Sequence, residues 1–166
     1  MNHFFLDASA WIKRFHDEPG TDVVDHLVNT LLPAPQRIAI LPLGLTEVAA
    51  ALNRHKNEGR LPELLAQQAV ARLLLEASTM DVQPLDEAIV LDSLLCITKH
   101  NVNASDALYL QQVILLQDLL RRVDREVVLV AADRRLLRAA TAEGISVLDP
   151  EVAVIAEADR LIGQLE

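Results

Sequence analysis

The sequence predicts an α/β domain built on a mainly parallel β-sheet covered by helices on both faces. Short apolar runs alternate along the chain with longer stretches of helical periodicity, the order expected of strands joined by crossover helices. The length of 166 residues suits one compact domain. A composition of 51% hydrophobic and 23% charged residues is enough to bury a core and excludes a disordered chain.

The elements follow in order. Residues 3–6 (HFFL) read as a short buried strand, and residues 37–41 (RIAIL), 81–83, 127–130 (VVLV) and 146–148 (SVL) as four more. Residues 8–15 make a short helix. Residues 21–32 carry Val23, Val24, Leu27, Val28 and Leu31, the spacing of one helix face. Helices are also expected over 45–58, with Gly59 as its stop, and over 62–78, 86–100 and 103–122. A helix over 134–142 ends at Gly144, and residues 151–165 form a terminal helix. The helices over 86–100 and 103–122 have no strand between them, so the chain is not a plain βαβ repeat. Pro33-Ala34-Pro35 marks a loop. There is no internal repeat and no domain boundary.

Composition excludes several functions. Aromatic residues make up 3% of the chain, too few for a surface that stacks bases on rings. A net charge of −9 argues against coating nucleic acid non-specifically and leaves room for a basic protein partner. It does not exclude one cleft in which bound cations reverse the local sign. Cys96 is the single cysteine, which rules out an intrachain disulfide and a thiolate zinc cluster, and its apolar neighbours predict a buried residue. No signal peptide is visible, and no apolar run approaches the roughly 20 residues that span a membrane. A cytoplasmic protein is expected.

Ligands of open parallel sheets gather beyond the carboxyl ends of the strands. Asp7 follows the first strand directly, Asp133 follows residues 127–130, Glu47 stands near the start of the helix after residues 37–41, and Asp106 opens the long central helix. Taken singly, each has an ordinary role. Asp7 and Asp133 suit N-caps, Asp106 suits the third position behind an Asn103 cap, and Glu47 suits a solvated helix face. Taken together, four carboxylates at one edge repel unless cations are present, and oxygen-only clusters favour Mg²⁺ or Mn²⁺. The chemistry that fits is phosphodiester hydrolysis.

The segments FFLDASAWIKRFHDEPG, LTEVAAALNRHKNEGRL, NASDALYL and VVLVAADRRLLRAATAEGISVL resemble, in order, the successive motifs of PIN domains, especially the VapC toxins of type II toxin–antitoxin pairs. The resemblance runs from about residue 2 to residue 148. It implies a PIN-like nuclease domain over residues 1–149, a three-layer α/β/α sandwich, with residues 150–166 as a C-terminal helical extension. It also implies that Asp7, Glu47, Asp106 and Asp133 form the metal-binding and catalytic quartet. With it come an Mg²⁺- or Mn²⁺-dependent endoribonuclease activity, a homodimer and a cognate antitoxin. Ser9 stands where the family has a small hydroxyl residue supporting the site. Ala131 stands where many members carry Ser or Thr, so one supporting hydrogen bond is absent.

Helical spacing from Glu47 places Arg54 and Glu58 on the same side of their helix. Arg54, Lys13 and Arg134 are candidate contacts for RNA or a partner, with Arg14, Lys56, Arg60 and Arg135 behind them. His55 and His100 are expected to be ordinary surface residues, and Trp11 a core or interface residue. Apolar residues of the helices between Gly20 and Ser78 exceed what a small core hides, in keeping with a dimer. Two other classes compete. An aspartate-based phosphatase usually shows Asp-x-Asp after the first strand, where Ser9 replaces the second Asp here. A non-catalytic PIN-like binding module retains the fold without cleavage.

Overall fold

The computed structural model describes residues 2–163. Five strands form one sheet in the order β3-β2-β1-β4-β5, and every neighbouring pair is parallel. They are β1 (Asn2–Leu6), β2 (Ile38–Ile40), β3 (Asp81–Val82), β4 (Glu126–Val130) and β5 (Ser146–Leu148). Eight α-helices are described: α1 (Ala8–Trp11), α2 (Thr21–Leu31), α3 (Pro42–Asn57), α4 (Glu63–Ala77), α5 (Glu87–His100), α6 (Ala104–Arg121), α7 (Arg134–Ala142) and α8 (Ile155–Ile162). The result is a three-layer α/β/α sandwich.

The two-residue period of the strands divides the core. Phe4, Leu6, Ile38, Ile40, Val128 and Val130 point to one face, where α1, α2, α3, α4 and α8 cover them. Phe5, Ala39, Val127 and Leu129 point to the other, against α5, α6 and α7. Both faces are dry, which explains why these strands are apolar throughout. From β1 the chain moves outward through β2 to β3. The α5–α6 hairpin then carries it back across to β4 on the other side of β1, and β5 follows. The boundary between β1 and β4 is therefore the topological switch point, where a crevice opens beyond the strand ends.

Three expected boundaries differ. The first helix gives way to a 3₁₀ turn at Ile12–Arg14. The helix expected from residue 45 begins at Pro42, because proline supplies a preset φ at the first helical position. Glu47 thus lies in the second turn. The terminal helix expected from residue 151 starts only at Ile155, since the Asp149 carboxylate and carbonyl accept from Glu151, Val152 and Ala153 and hold a turn there. Its end at Leu165 falls outside the described residues. Ala158 and Ile162 of α8 are buried against α2, and Asn2 donates to the Leu161 carbonyl at 3.1 Å. Gly20, at φ +88°, begins α2 so close to this segment that a Cβ would stand 2.5 Å from the Pro150 carbonyl oxygen.

Buried charge fastens the helices on the first face. The Arg14 guanidinium reaches Glu76 at 2.6 Å, Asp25 at 2.7 Å and Asn29 at 3.1 Å, tying the 3₁₀ turn to α2 and α4. Glu76 also accepts from Trp11 Nε1 at 3.3 Å and from the exposed Arg72 at 3.0 Å. Removing the buried Arg14 takes from Glu76 its shortest ion pair and from Asp25 its partner, leaving Glu76 to Trp11 and the exposed Arg72. Arg14→Ala is therefore expected to lower stability by about 3 kcal/mol and Arg72→Ala by under about 1 kcal/mol, read from the midpoints of urea unfolding.

Candidate active site

At the switch point the loops after β1 and β4 are clasped together. The Asp7 amide donates to the Val130 carbonyl at 3.0 Å. Ser9 Oγ donates to Asp7 Oδ2 and accepts from the Ala132 amide at 2.8 Å. One hydroxyl thus joins the first acid to the loop of the fourth. This backbone contact anchors that loop although Ala131 has no hydroxyl to offer, and the Ala131 amide bonds instead to the Leu148 carbonyl of β5.

The capping roles read from the sequence are all realised. Asp7 Oδ2 also accepts from the Ser9 amide at 2.9 Å and caps α1. Asp133 Oδ1 accepts from the Arg135 and Leu136 amides at 2.7 and 3.2 Å and caps α7. Asn103 Oδ1 caps α6 through the Asp106 amide at 2.8 Å. Each cap uses one oxygen. Among the described residues, no hydrogen bond engages Asp7 Oδ1 or Asp133 Oδ2. Asp106 Oδ2 is buried with no partner at all, and a buried acceptor left unpaired is costly.

The four acids line one cleft of about 360 Å³, with Ser9, Ser105 and Arg54 beside them. Ala8, Ala50 and Ala51 keep its walls low. Asp7 and Asp106 are each only 6% exposed. Burial, with the negative charges of Glu47 and Asp106, pushes the Asp7 carboxyl up to about 6 against the pull of its Ser9 hydrogen bonds. Burial and the charge of Asp133 raise Asp106 too. Glu47 accepts a 3.0 Å hydrogen bond from Tyr109 Oη, and burial beside Asp7 and Glu47 keeps that phenol protonated.

The donor set is all oxygen, with Asp7 and Asp106 buried, Glu47 and Asp133 half-buried and, among the described residues, only Arg135 near Asp133 as counter-charge, which fits a hard divalent cation. Among the described residues no three His, Cys, Asp or Glu side chains form a ready-made cage for one ion. The acids ring an open cleft, which suits a cation that keeps several of its own waters.

The basic candidates separate clearly. Arg54 is exposed on the cleft wall. Arg134 is exposed at the start of α7, outside the lining residues. Lys13 is a correction: it is 2% exposed, its ammonium paired with Glu151 at 2.9 Å and Glu18 at 3.3 Å, so it braces the α8 side and is not offered to RNA. Arg14 is likewise turned inward, and Glu58 lies outside the lining residues, paired with Arg60 at the end of α3. His55 is also a correction. It is buried, its ring 4.3 Å from that of His16, and burial lowers its pKa. His100 is half-buried and bonded to Glu143 at 2.5 Å. Trp11 is core and Cys96 is buried. The residues not singled out from the sequence are Ser105 and Tyr109. The i, i+3 spacing of Tyr109 from Asp106 was the available signal.

The Asp7 shift fixes a pH dependence. Unfolded, this carboxyl ionises near 3.8, and folded near 6. Between those values the folded chain binds more protons, so this group's contribution to stability falls as pH rises, by about 3 kcal/mol across the window. Urea unfolding in EDTA is expected to show that fall in wild-type protein and not in Asp7→Asn.

Residues 4–142, which include all four acids, match the PIN domain family. No curated protein matches the chain. Among solved structures, the crystal structure of PAE2754 from Pyrobaculum aerophilum is similar with a TM-score of 0.62 and 22% identity, covering 98% of this chain and 96% of that one. The structure of FitAB bound to the IR36 DNA fragment is similar with a TM-score of 0.57 and 12% identity, covering 91% and 97%. At these identities both speak for the fold alone. With the profile match spanning most of the chain and the sheet order carrying four acids to one switch point, this chain belongs to the PIN domain family, whose members are generally metal-dependent nucleases.

Proposed function

We propose that this protein is an Mg²⁺- or Mn²⁺-dependent endoribonuclease, the toxin of a toxin–antitoxin pair. The observation that carries the reading is the shared cleft of Asp7, Glu47, Asp106 and Asp133, with the buried Asp106 Oδ2 lacking any partner. The choice of RNA, and of a VapC-type toxin within the family, rests on the four motif segments.

Bound there, a divalent cation lowers the pKa of an attacking water and neutralises charge on the scissile phosphate. Asp7 Oδ1 and Asp106 Oδ2 are the principal holders. Glu47 ligates or orients the water, and Asp133 Oδ2 completes the second side. Ser9 keeps Asp7 and the Asp133 loop in register. Arg54 binds a phosphate next to the reacting one, leaving Arg134 to meet the substrate or partner farther out. Water attack at phosphorus breaks the bond to the 3′ oxygen and leaves 5′-phosphate and 3′-hydroxyl ends.

The partners are a cognate antitoxin and a second copy of the chain. The apolar residues of α2 are all inside, so the surplus lies elsewhere: Leu64, Leu65, Leu74 and Leu75 on α4, and Val90, Leu91, Leu94 and Leu95 on α5. The α5 residues form one contiguous face, and we assign it to the homodimer. No helix among the described residues is long and apolar enough to cross a membrane. We place the protein in the cytoplasm. A second reading, a non-catalytic binding module, is favoured by one observation, the absence of a ready-made ion cage among the described residues.

Labelled transfer RNA and a structured ribosomal RNA fragment separate the two readings. Discrete fragments are expected with Mg²⁺ or Mn²⁺, and none with EDTA or with well-folded Asp7→Asn or Asp106→Asn. Intact RNA under every condition selects the binding module. Arg54→Ala is expected to weaken RNA binding and lower the salt slope by about 1. Light scattering is expected to give twice the 18.3 kDa chain mass, and the single mass for Leu91→Glu/Leu95→Glu.

A further inference from the structure

We infer that Tyr109 is a positioning residue for Glu47, and that Gly44 is glycine to admit its hydroxyl. The inference rests on the reading above that Glu47 serves the metal cleft, and it adds two residues outside the acidic quartet.

Two helices meet here with matched spacing. On α6, Tyr109 lies three residues beyond Asp106, on the same face. On α3, Glu47 lies three residues beyond Gly44. Tyr109 Oη donates to Glu47 Oε2 at 3.0 Å, and the residue is 1% exposed. Its ring is fixed edge-on to Phe5 of β1, with centroids 6.3 Å apart and planes at 86°. The hydroxyl therefore has one place to be. A Cβ added at Gly44 would stand 2.8 Å from that hydroxyl oxygen, while its next neighbours, atoms of Trp11, would be at 3.8 and 3.9 Å, ordinary contact distances. The conflict is with the hydroxyl and nothing else. A glycine in the first turns of a long helix weakens it relative to alanine, so the position carries a cost that the phenol explains.

The function follows from the geometry. A glutamate has three rotatable bonds, and an acidic cleft pushes its carboxylate away from Asp7 and Asp106. The Tyr109 hydrogen bond pins Oε2 against that repulsion and leaves Oε1 for the cleft. Groups of this kind, behind a ligand, commonly change metal affinity by 10–100-fold when removed.

Three measurements on the whole chain test this. The first needs no metal: thermal unfolding in EDTA of wild type, Gly44→Ala, Tyr109→Phe and the double variant. Gly44→Ala is expected to lower Tm in wild type and to raise it, or leave it unchanged, in Tyr109→Phe, where the Cβ has room. Equal losses in both backgrounds overturn the steric link. The second is titration with Mn²⁺ followed by calorimetry. Tyr109→Phe and Gly44→Ala are each expected to weaken binding about tenfold or more, and the double variant no further. Wild-type affinity in a folded Tyr109→Phe protein overturns the positioning role. Because the chain has one tyrosine, fluorotyrosine labelling gives a single ¹⁹F resonance, expected to shift on adding Mg²⁺ in wild type and not in Glu47→Gln. Failure of the metal reading shows separately, as wild-type protein that takes up no Mn²⁺. In that case the thermal cycle and the effect of Glu47→Gln on the metal-free ¹⁹F resonance decide whether Tyr109 holds Glu47.

Discussion

Electrostatic repulsion within one cleft is the constraint that the rest of this structure answers to. Four carboxylates are brought to the carboxyl edge of β1 and β4, two of them nearly dry, and the fold has to hold them there without a cation's help while it assembles. Burial makes the problem worse, as the upward shifts of Asp7 and Asp106 record. What opposes the repulsion is a set of neutral donors: the Ser9 hydroxyl and amide on Asp7, the first-turn amides of α7 on Asp133, and the Tyr109 phenol on Glu47. Positive charge is sparse: the exposed Arg135 reaches only Asp133 Oδ1, at 4.0 Å. Arg54 stands on the rim, and the buried cations Lys13 and Arg14 are committed elsewhere.

This division of labour leaves ordinary capping residues with oxygens to spare. A helix N-terminus needs one acceptor oxygen, and a carboxylate has two. Asp7 and Asp133 use one oxygen each to start a helix. The cap fixes the side chain's rotamer, and the positive end of the helix offsets part of its charge. A structural device with a spare valence is thus what lines the cleft, and the capping role of these residues does not compete with the metal-holding role proposed for them.

Much of this was legible in the sequence because it depends on local pattern. Apolar runs gave the strands, the acids that follow β1 and β4 are adjacent to them in the chain, and Asn103 announces the start of α6. The expected helix over residues 45–58 missed the proline-led first turn, since Leu43 and Gly44 gave no polar boundary to read. What stayed hidden depends on tertiary distance. Lys13 looks like a surface cation until Glu151, far along the chain, turns out to be its partner. His55 sits among charged neighbours in the sequence yet is roofed by His16. The surplus of apolar surface expected before Ser78 is found on α4, at Leu64, Leu65, Leu74 and Leu75, but not on α2, whose apolar residues the core consumes, and a further exposed apolar set on α5 was not anticipated.

The pairing of β1 with β4 also sets an order of birth. Ser9 and Ala132, whose hydrogen bond closes the cleft, are 123 residues apart, and β1 cannot complete its pairing until β4 exists. Contacts this distant in sequence slow folding, because the intervening loop must be closed before they are rewarded. During translation the first three acids are already made while the fourth, and the strand that carries it, are still to come. A ribosome-bound chain therefore displays its carboxylates dispersed. The cluster comes into being only with the finished sheet.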